Sequence, residues 1–441
     1  MTYLAVVIII LVLSCLGYAI LNSILPKKLA NLQFLIGGGY ALALFLVIAQ
    51  MFLMSLLNLG ITRMTILFPW SILVISYFIF FRRRKILIPS ITFPNGILEK
   101  LGIILLSSLV IFVGMEGILR EPIGWDAVAT WMLQGKGFYY SGGLSTDIYR
   151  YAQIDSPPGI GLILMFFYTL LGRGDDHAVL LFFGSIYPVI LFLLYGSIKS
   201  YTNARTALLF TLFFATLQLA IRQAGRFEAG YADLPLSYFF LSSAAFLLNF
   251  YRTKRSLFFL IATLFAGIAS FVKNEGSAFF LVFLLVSLFA QIRLRRWYIW
   301  YTIPGIITFA SWLLFKYFYP LHPSYYEQSY FVIERWDLVI KQMFFEFFRV
   351  DRWNFLWLGL FLSIFLLPKK IVTFIPFQLM LLQFIGYFFI YMVTPLDPVD
   401  HIVGSLDRLL LQLAPLAILS IAYCSYAILK NSSFLGTSRN D

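Results

Sequence analysis

Acids and bases gather where the apolar runs of this 441-residue chain end. Asp126 and Asp155 share the long segment 119–176. Arg226, Glu228 and Asp233 stand within RQAGRFEAGYAD, Lys273 and Glu275 within KNEG, and Arg408 follows Asp407 at the mouth of the last apolar run. A carboxylate in such a place can accept a proton from a hydroxyl, and a cation can hold an anionic group. Proton transfer and anion binding are therefore the chemistries to look for, and the elements that would carry them come next.

Composition fixes the class. Hydrophobic residues make up 61% of the chain and charged residues 12%, with 48 Phe. A soluble domain is nearer half apolar and a quarter charged, so the pattern is that of an all-α polytopic membrane protein. A helix needs about 20 apolar residues to cross a bilayer. Spans are predicted near 4–24, 32–57, 64–81, 97–118, 177–198, 205–221, 234–251, 256–272, 276–291, 297–319, 353–367, 371–394 and 406–429. That is about 13 transmembrane helices. The stretch 158–171, short and preceded by Pro157-Pro158, reads as a helix lying in or dipping into the membrane interface.

Threaded in this order, Lys27-Lys28, Arg82 to Lys85, Lys199 with Arg205, Arg252 to Arg255, Arg293 to Arg296, Lys369-Lys370 and Lys430 fall on one side. Short cytoplasmic loops carry the excess of Lys and Arg, so this side is the cytoplasm. All acids but Glu99 and Asp441 then face the other side, with the three histidines. A full crossing by 158–171 would put two basic clusters outside. The N-terminus is accordingly expected outside, as the start of a retained span, and the C-terminus inside, in a plasma (bacterial inner) membrane.

The net charge of +13 is mostly cytoplasmic anchoring to anionic lipid and does not argue for nucleic acid. Cys15 and Cys424 both sit inside predicted spans, which leaves neither a disulfide framework nor a zinc site. No Walker A loop, dinucleotide fingerprint or H-E-x-x-H motif is present.

The segment 119–176 is too long for a mere connection. Its WDAVATWMLQGKGFYY places Trp125, Val128 and Met132 about a turn apart, with Ala129 beside them. This predicts a short amphipathic helix on the membrane surface, with Asp126 at its start. The loops 320–352 and 395–408 add His322, Glu334, Asp397, Asp400 and His401 to the same side.

GWDAVATW, then DSPPG before a short apolar helix, RFEAGYADLPL, KNEG and SLDRLLLQLAP resemble, in order and sidedness, the polytopic GT-C glycosyltransferases. Within them the chain looks most like the bacterial branch related to protein O-mannosyltransferases and the lipid A aminoarabinose transferase. The resemblance covers about 97–429 and implies a catalytic module over 91–300 that includes loop 119–176. Accessory N-terminal helices would lie in 1–90, and C-terminal helices with loops 320–352 and 395–408 in 301–441. A single Asp126 stands where relatives carry adjacent acids, and Asp155-Ser156-Pro157-Pro158 replaces the commoner His-Pro-Pro.

The resemblance implies transfer of a sugar from a polyprenyl-phosphate donor to an acceptor hydroxyl on the extracytoplasmic side, usually with inversion. The acceptor would be a lipid, a glycan or a protein. Asp126 would be the catalytic base. Arg408, Lys273 and Arg226 would meet the charge of the leaving phosphate, and Asp155, Glu228, Asp233 and Glu275 would contact substrate. Mg²⁺ or Ca²⁺ held by Asp126 and Asp233 is possible chemistry that no spacing requires. Each residue also has a plainer reading: Asp126 as a helix cap, Asp155 as a turn residue, Asp233 as the neutraliser of Arg222 or Arg226, Lys273 and Glu275 as each other's partners, Arg408 as a snorkelling side chain. Competing functions are a transporter or flippase of a lipid-linked sugar and a glycan polymerase or ligase. The near absence of ionisable residues inside the spans and the lack of an internal repeat weigh against transport.

Overall fold

The computed structural model describes residues 1–25, 31–81, 96–151, 156–294, 298–319 and 330–437. Asp155, His322 and the basic clusters at 27–28, 82–85 and 295–296 lie outside them. Among the described residues there is no strand. The helices are α1 Thr2–Ile24, α2 Leu32–Leu56, α3 Arg63–Phe81, α4 Ile97–Leu119, α5 Leu133–Ser141, α6 Gly159–Leu171, α7 Asp176–Lys199, α8 Ala204–Ala215, α9 Gln218–Gly225 and α10 Asp233–Thr253. They continue as α11 Ser256–Val272, α12 Asn274–Leu294, α13 Ile303–Phe318, α14 Trp336–Phe347, α15 Val350–Trp353, α16 Leu356–Leu366, α17 Pro368–Val372, α18 Ile375–Val393 and α19 Pro398–Thr437.

The expected spans fall on apolar helices, except 205–221, which is broken into α8 and α9. Eight are long and apolar enough to cross a membrane, and α8 with α9, bent by 65° at their junction, make up to a ninth. The apolar parts of α3, α11, α12 and α16 are shorter. The chain is a multi-pass membrane protein built on α7, α10, α11 and α19, whose buried faces form one continuous apolar core. Helices α1 and α4, by contrast, leave most of their surface outside the packed protein, as lipid-facing helices do.

Two expectations about the 119–176 segment change. Of the two placements expected for 158–171, the one lying on the surface is lost: Gly159 through Thr169 are buried, packed against α2, α5 and α11. A run without a polar face has no side to offer water, so it goes to the interior. Helix α5 closes on it because Gly135 and Gly161 lack a Cβ. One at Gly135 would meet Leu164 at 2.6 Å, and one at Gly161 would meet Gln134 at 2.6 Å. The preceding turn, Ala127–Met132, is π-helical. Its wider spacing shifts the register, so Ala127, Thr130, Trp131 and Met132 face inward while Trp125 and Val128 are exposed. The amphipathic face drawn through Trp125, Val128 and Met132 is thus split.

The break between α8 and α9 frees carbonyls that need partners. Tyr187 donates to Ala215 O at 2.5 Å and the Asn354 amide to Thr216 O at 3.0 Å. The bend aims α9, with Arg222 and Gln223, at the place where α10, α11, α12 and α19 bring their charged ends together.

Candidate active site

Asp126 immediately precedes the π-turn, but its carboxylate caps nothing. It pairs instead with the Arg408 guanidinium, which comes from the first turns of α19, 282 positions away, and which also donates to Gly404 O. Tyr231 faces the pair: the Arg408 guanidinium carbon lies 5.5 Å from its ring centroid. Burial and then the Asp126 charge hold the Tyr231 hydroxyl above its ordinary pKa. Gly230, at φ +100°, makes that approach possible, since a Cβ there would stand 2.6 Å from the Ala127 Cβ.

Beneath this pair lies a second layer with a fully buried carboxylate at its centre. Asp233 opens α10 and is 1% exposed. Its Oδ1 accepts from Lys273 Nζ and from Gln412 Nε2, each at 2.7 Å. Lys273 sits between α11 and α12 and also meets Glu275 at 2.9 Å. Burial alone would lower the Lys273 pKa, but the Asp233 and Glu275 carboxylates outweigh it and hold the ammonium well above the usual lysine range. Gln412 is itself oriented by the Tyr387 hydroxyl. The field of Arg408 is felt by both Asp233 and Asp126, so one guanidinium links the two layers.

Glu228 pairs with Arg222. Burial raises its pKa above the ordinary 4.5 against the pull of Arg222. Its Oε2 and the Asp233 Oδ2 are buried oxygens without a hydrogen-bond partner among the described residues. Such atoms are uncommon in folded proteins, and a catalytic role or a bound water is among the physical reasons for one. On the far side of Arg408, Asp407 meets Arg352 at 2.9 Å, and Arg352 meets Glu346 at 3.2 Å. The juxtaposed α14 and α15 are thereby tied to the start of α19.

Asp126, Arg408, Asp233, Lys273 and Glu275 thus come together, and Glu228 borders them. Arg226 does not join: it lies 3.4 Å from Glu116, which also holds Arg120, and its guanidinium faces Phe227 and Phe112. Asp233 is neutralised by Lys273, not by Arg222 or Arg226, and Lys273 serves both Glu275 and Asp233. Tyr231, Arg352, Gln412 and Tyr387 were missed, whereas the Arg222 to Glu228 pairing within one loop was open to local reading. Gln412 had a signal, a lone amide four residues after Arg408 in an otherwise apolar helix, one turn along the same face. Among the described residues no group of three or more His, Cys, Asp or Glu side chains could hold a metal ion. Asp126 and Asp233 each already have a cationic partner, so the pair as arranged does not form a site for Mg²⁺ or Ca²⁺, which need several oxygens at once.

No family model matches the sequence, and no curated protein sequence matches it either. A solved structure does match: ArnT from Cupriavidus metallidurans in its apo state, with TM-score 0.51 and 15% identity. The match covers 74% of this chain and 60% of that one, so the chain spans about three fifths of the length of the protein it resembles. At that identity the likeness establishes the fold. It is the helical membrane architecture of ArnT, a lipid A aminoarabinose transferase of the GT-C type.

Proposed function

We propose, starting from this ArnT-like fold, that the protein is a membrane glycosyltransferase. It would take a sugar from a polyprenyl-phosphate donor and pass it, with inversion, to an acceptor hydroxyl of a lipid, glycan or protein. The reaction would face the extracytoplasmic side of a bacterial plasma membrane, with the N-terminus on that side and the C-terminus in the cytoplasm. The observation that carries this reading is the pairing of Asp126, a carboxylate whose side chain is 25% exposed, with Arg408, beside Lys273 on the buried Asp233.

The chemistry then follows from charge. An acceptor hydroxyl is a poor nucleophile until a base takes its proton as the new bond forms. Asp126 accepts that proton. The acceptor oxygen bonds to the anomeric carbon, the bond from that carbon to the phosphate oxygen breaks, and its electron pair leaves with the polyprenyl phosphate. The growing negative charge is met by Arg408, which is released from Asp126 as that carboxylate is neutralised, and by the fixed field of Lys273. Asp233, itself held by Gln412, keeps Lys273 in place, and the buried Oδ2 of Asp233 and Oε2 of Glu228 keep unused acceptor capacity beside it.

The test uses the full chain in nanodiscs, offered a panel of radiolabelled polyprenyl-phosphate sugars with total membrane lipid and glycan. Wild type should transfer or slowly hydrolyse one donor, and Asp126→Asn should lower that rate by roughly 10²–10⁴-fold while donor binding persists. A donor that is bound and only moved between leaflets, at the same rate in Asp126→Asn, would overturn the proposal in favour of a flippase.

A further inference from the structure

A cavity of about 450 Å³ opens where the C-terminal end of α5 and the loop after it meet the end of α2, the loop that follows it, and the end of α13. Its size lies within the ~300–1,000 Å³ typical of small-molecule sites. Its walls differ from those of the lateral cavity between α1, α2 and α3, which Leu16, Ile20, Ile36, Leu73 and Val74 line with hydrocarbon. Here Asn58, Ser141, Ser145 and Thr146 border the space, and none of their side chains makes a hydrogen bond within the described residues. Gly60 and Gly142 expose backbone on the same rim, with nothing within 4 Å of where a Cβ would be. One wall is aromatic: Phe315 and Tyr319 stack at 4.9 Å between centroids. Among the described residues no charged side chain lines the cavity.

That set of groups selects a ligand class. Without a cation the cavity offers nothing specific to a phosphate or carboxylate. Hydroxyls, a carboxamide and bare peptide groups match a hydroxyl-rich neutral molecule, and an aromatic face attracts the slightly positive C–H edge of a sugar ring. The position adds scale. From Asp126 the chain runs without interruption through the π-turn and α5 to Ser141, and at 1.5 Å per residue this separates the two ends by roughly 20 Å. The interlock of Gly135 and Gly161 with α6 keeps that strut rigid.

We infer that this cavity is a distal subsite for the neutral sugar units of an extended glycan acceptor, whose reacting end lies at Asp126. The inference rests on the transferase reading above and makes it more specific: the acceptor is a chain of several sugar units rather than a single small alcohol.

The experiment uses the nanodisc protein with the donor identified above. The acceptor probes are neutral glycans released from the cell envelope and separated by length. Ser145→Phe fills the cavity and Tyr319→Ala removes the outer half of its aromatic wall; two unrelated changes at exposed or half-exposed positions guard against misfolding. Transfer is read for each protein relative to its own hydrolysis of donor without acceptor. Wild type should have a lower KM for long fractions than for short ones. Both variants should raise the long-fraction KM about tenfold, the scale of one lost contact, with kcat retained and the short-fraction KM unmoved. Equal KM for long and short fractions in wild type, or variants in which KM is unchanged, would overturn the subsite while leaving the transferase reading intact. A wild type that neither transfers nor hydrolyses any donor fails the transferase reading itself, and the subsite falls with it.

Discussion

Two aspartates stand one layer apart and are held in opposite ways. Asp233 is almost fully buried, with Lys273 and Gln412 both on one oxygen; Asp126 sits a quarter exposed at the mouth, with the guanidinium of one long side chain as its partner. A buried ion pair costs desolvation on both sides, and losing one partner strands the other charge. A pair whose carboxylate keeps contact with water costs less to desolvate. Under the proposed function, the lower layer would hold a field in place, and the upper one would let a carboxylate change protonation state during the reaction.

Lys273→Met breaks the comparison most severely. It leaves the Asp233 carboxylate with only an amide for company, and we expect a loss of about 3–5 kcal/mol in stability, measured as unfolding in mixed micelles. Asp126→Asn, which keeps a polar partner for Arg408, should cost clearly less stability while removing most activity. Equal destabilisation by the two substitutions would mean that the layers are energetically alike and that the assignment of roles is wrong.

Much of this arrangement was legible in the sequence because charge inside an apolar chain is scarce. Asp126, Asp233, Lys273, Glu275 and Arg408 stand at the ends of apolar runs, and a bilayer leaves such ends few places to go. Their partners were less legible. The Asp126 to Arg408 pair spans 282 positions, and no local spacing encodes it. Arg226 looked equivalent to Arg408, yet Glu116 one helix away takes it. The burial of α6 follows from its lack of a polar face, but the π-turn that reverses the faces of Trp125 and Met132 depends on how Ala127 and Gly230 pack together, which is tertiary information.

A milder substitution tests whether the upper layer depends on the bent pair α8 and α9. Asn354 holds the Thr216 carbonyl at the break and itself adopts φ +48°, where Asn is tolerated better than Ala. Asn354→Ala should cost about 2 kcal/mol from the lost hydrogen bond and the left-handed backbone together. Amide exchange should quicken over 217–226 and stay unchanged over 274–280, at the start of α12. Uniform quickening in both segments would show that the two layers open as one unit.

The smallest effect concerns Glu228, which borders both layers and belongs to neither. Burial raises its pKa above 4.5 although Arg222 pulls it down; the carboxylates of Asp407 and Asp233 add to the rise and Arg408 opposes it. A carboxyl raised on folding favours its protonated form in the native state, so its contribution to stability is fully present below 4.5 and fades as pH climbs through the raised value. Asp351, held low by Arg349, acts with the opposite sign and in a different window, below its ordinary 3.8. Glu228→Gln should therefore flatten the fall in thermal stability on the alkaline side of 4.5 and leave the acid side unaltered. The two melting curves, recorded from pH 4 to 8, should converge at the acid end and separate as pH rises. Parallel curves would mean that Glu228 titrates alike in folded and unfolded chains, and that its buried oxygen is reached by water before any sugar arrives.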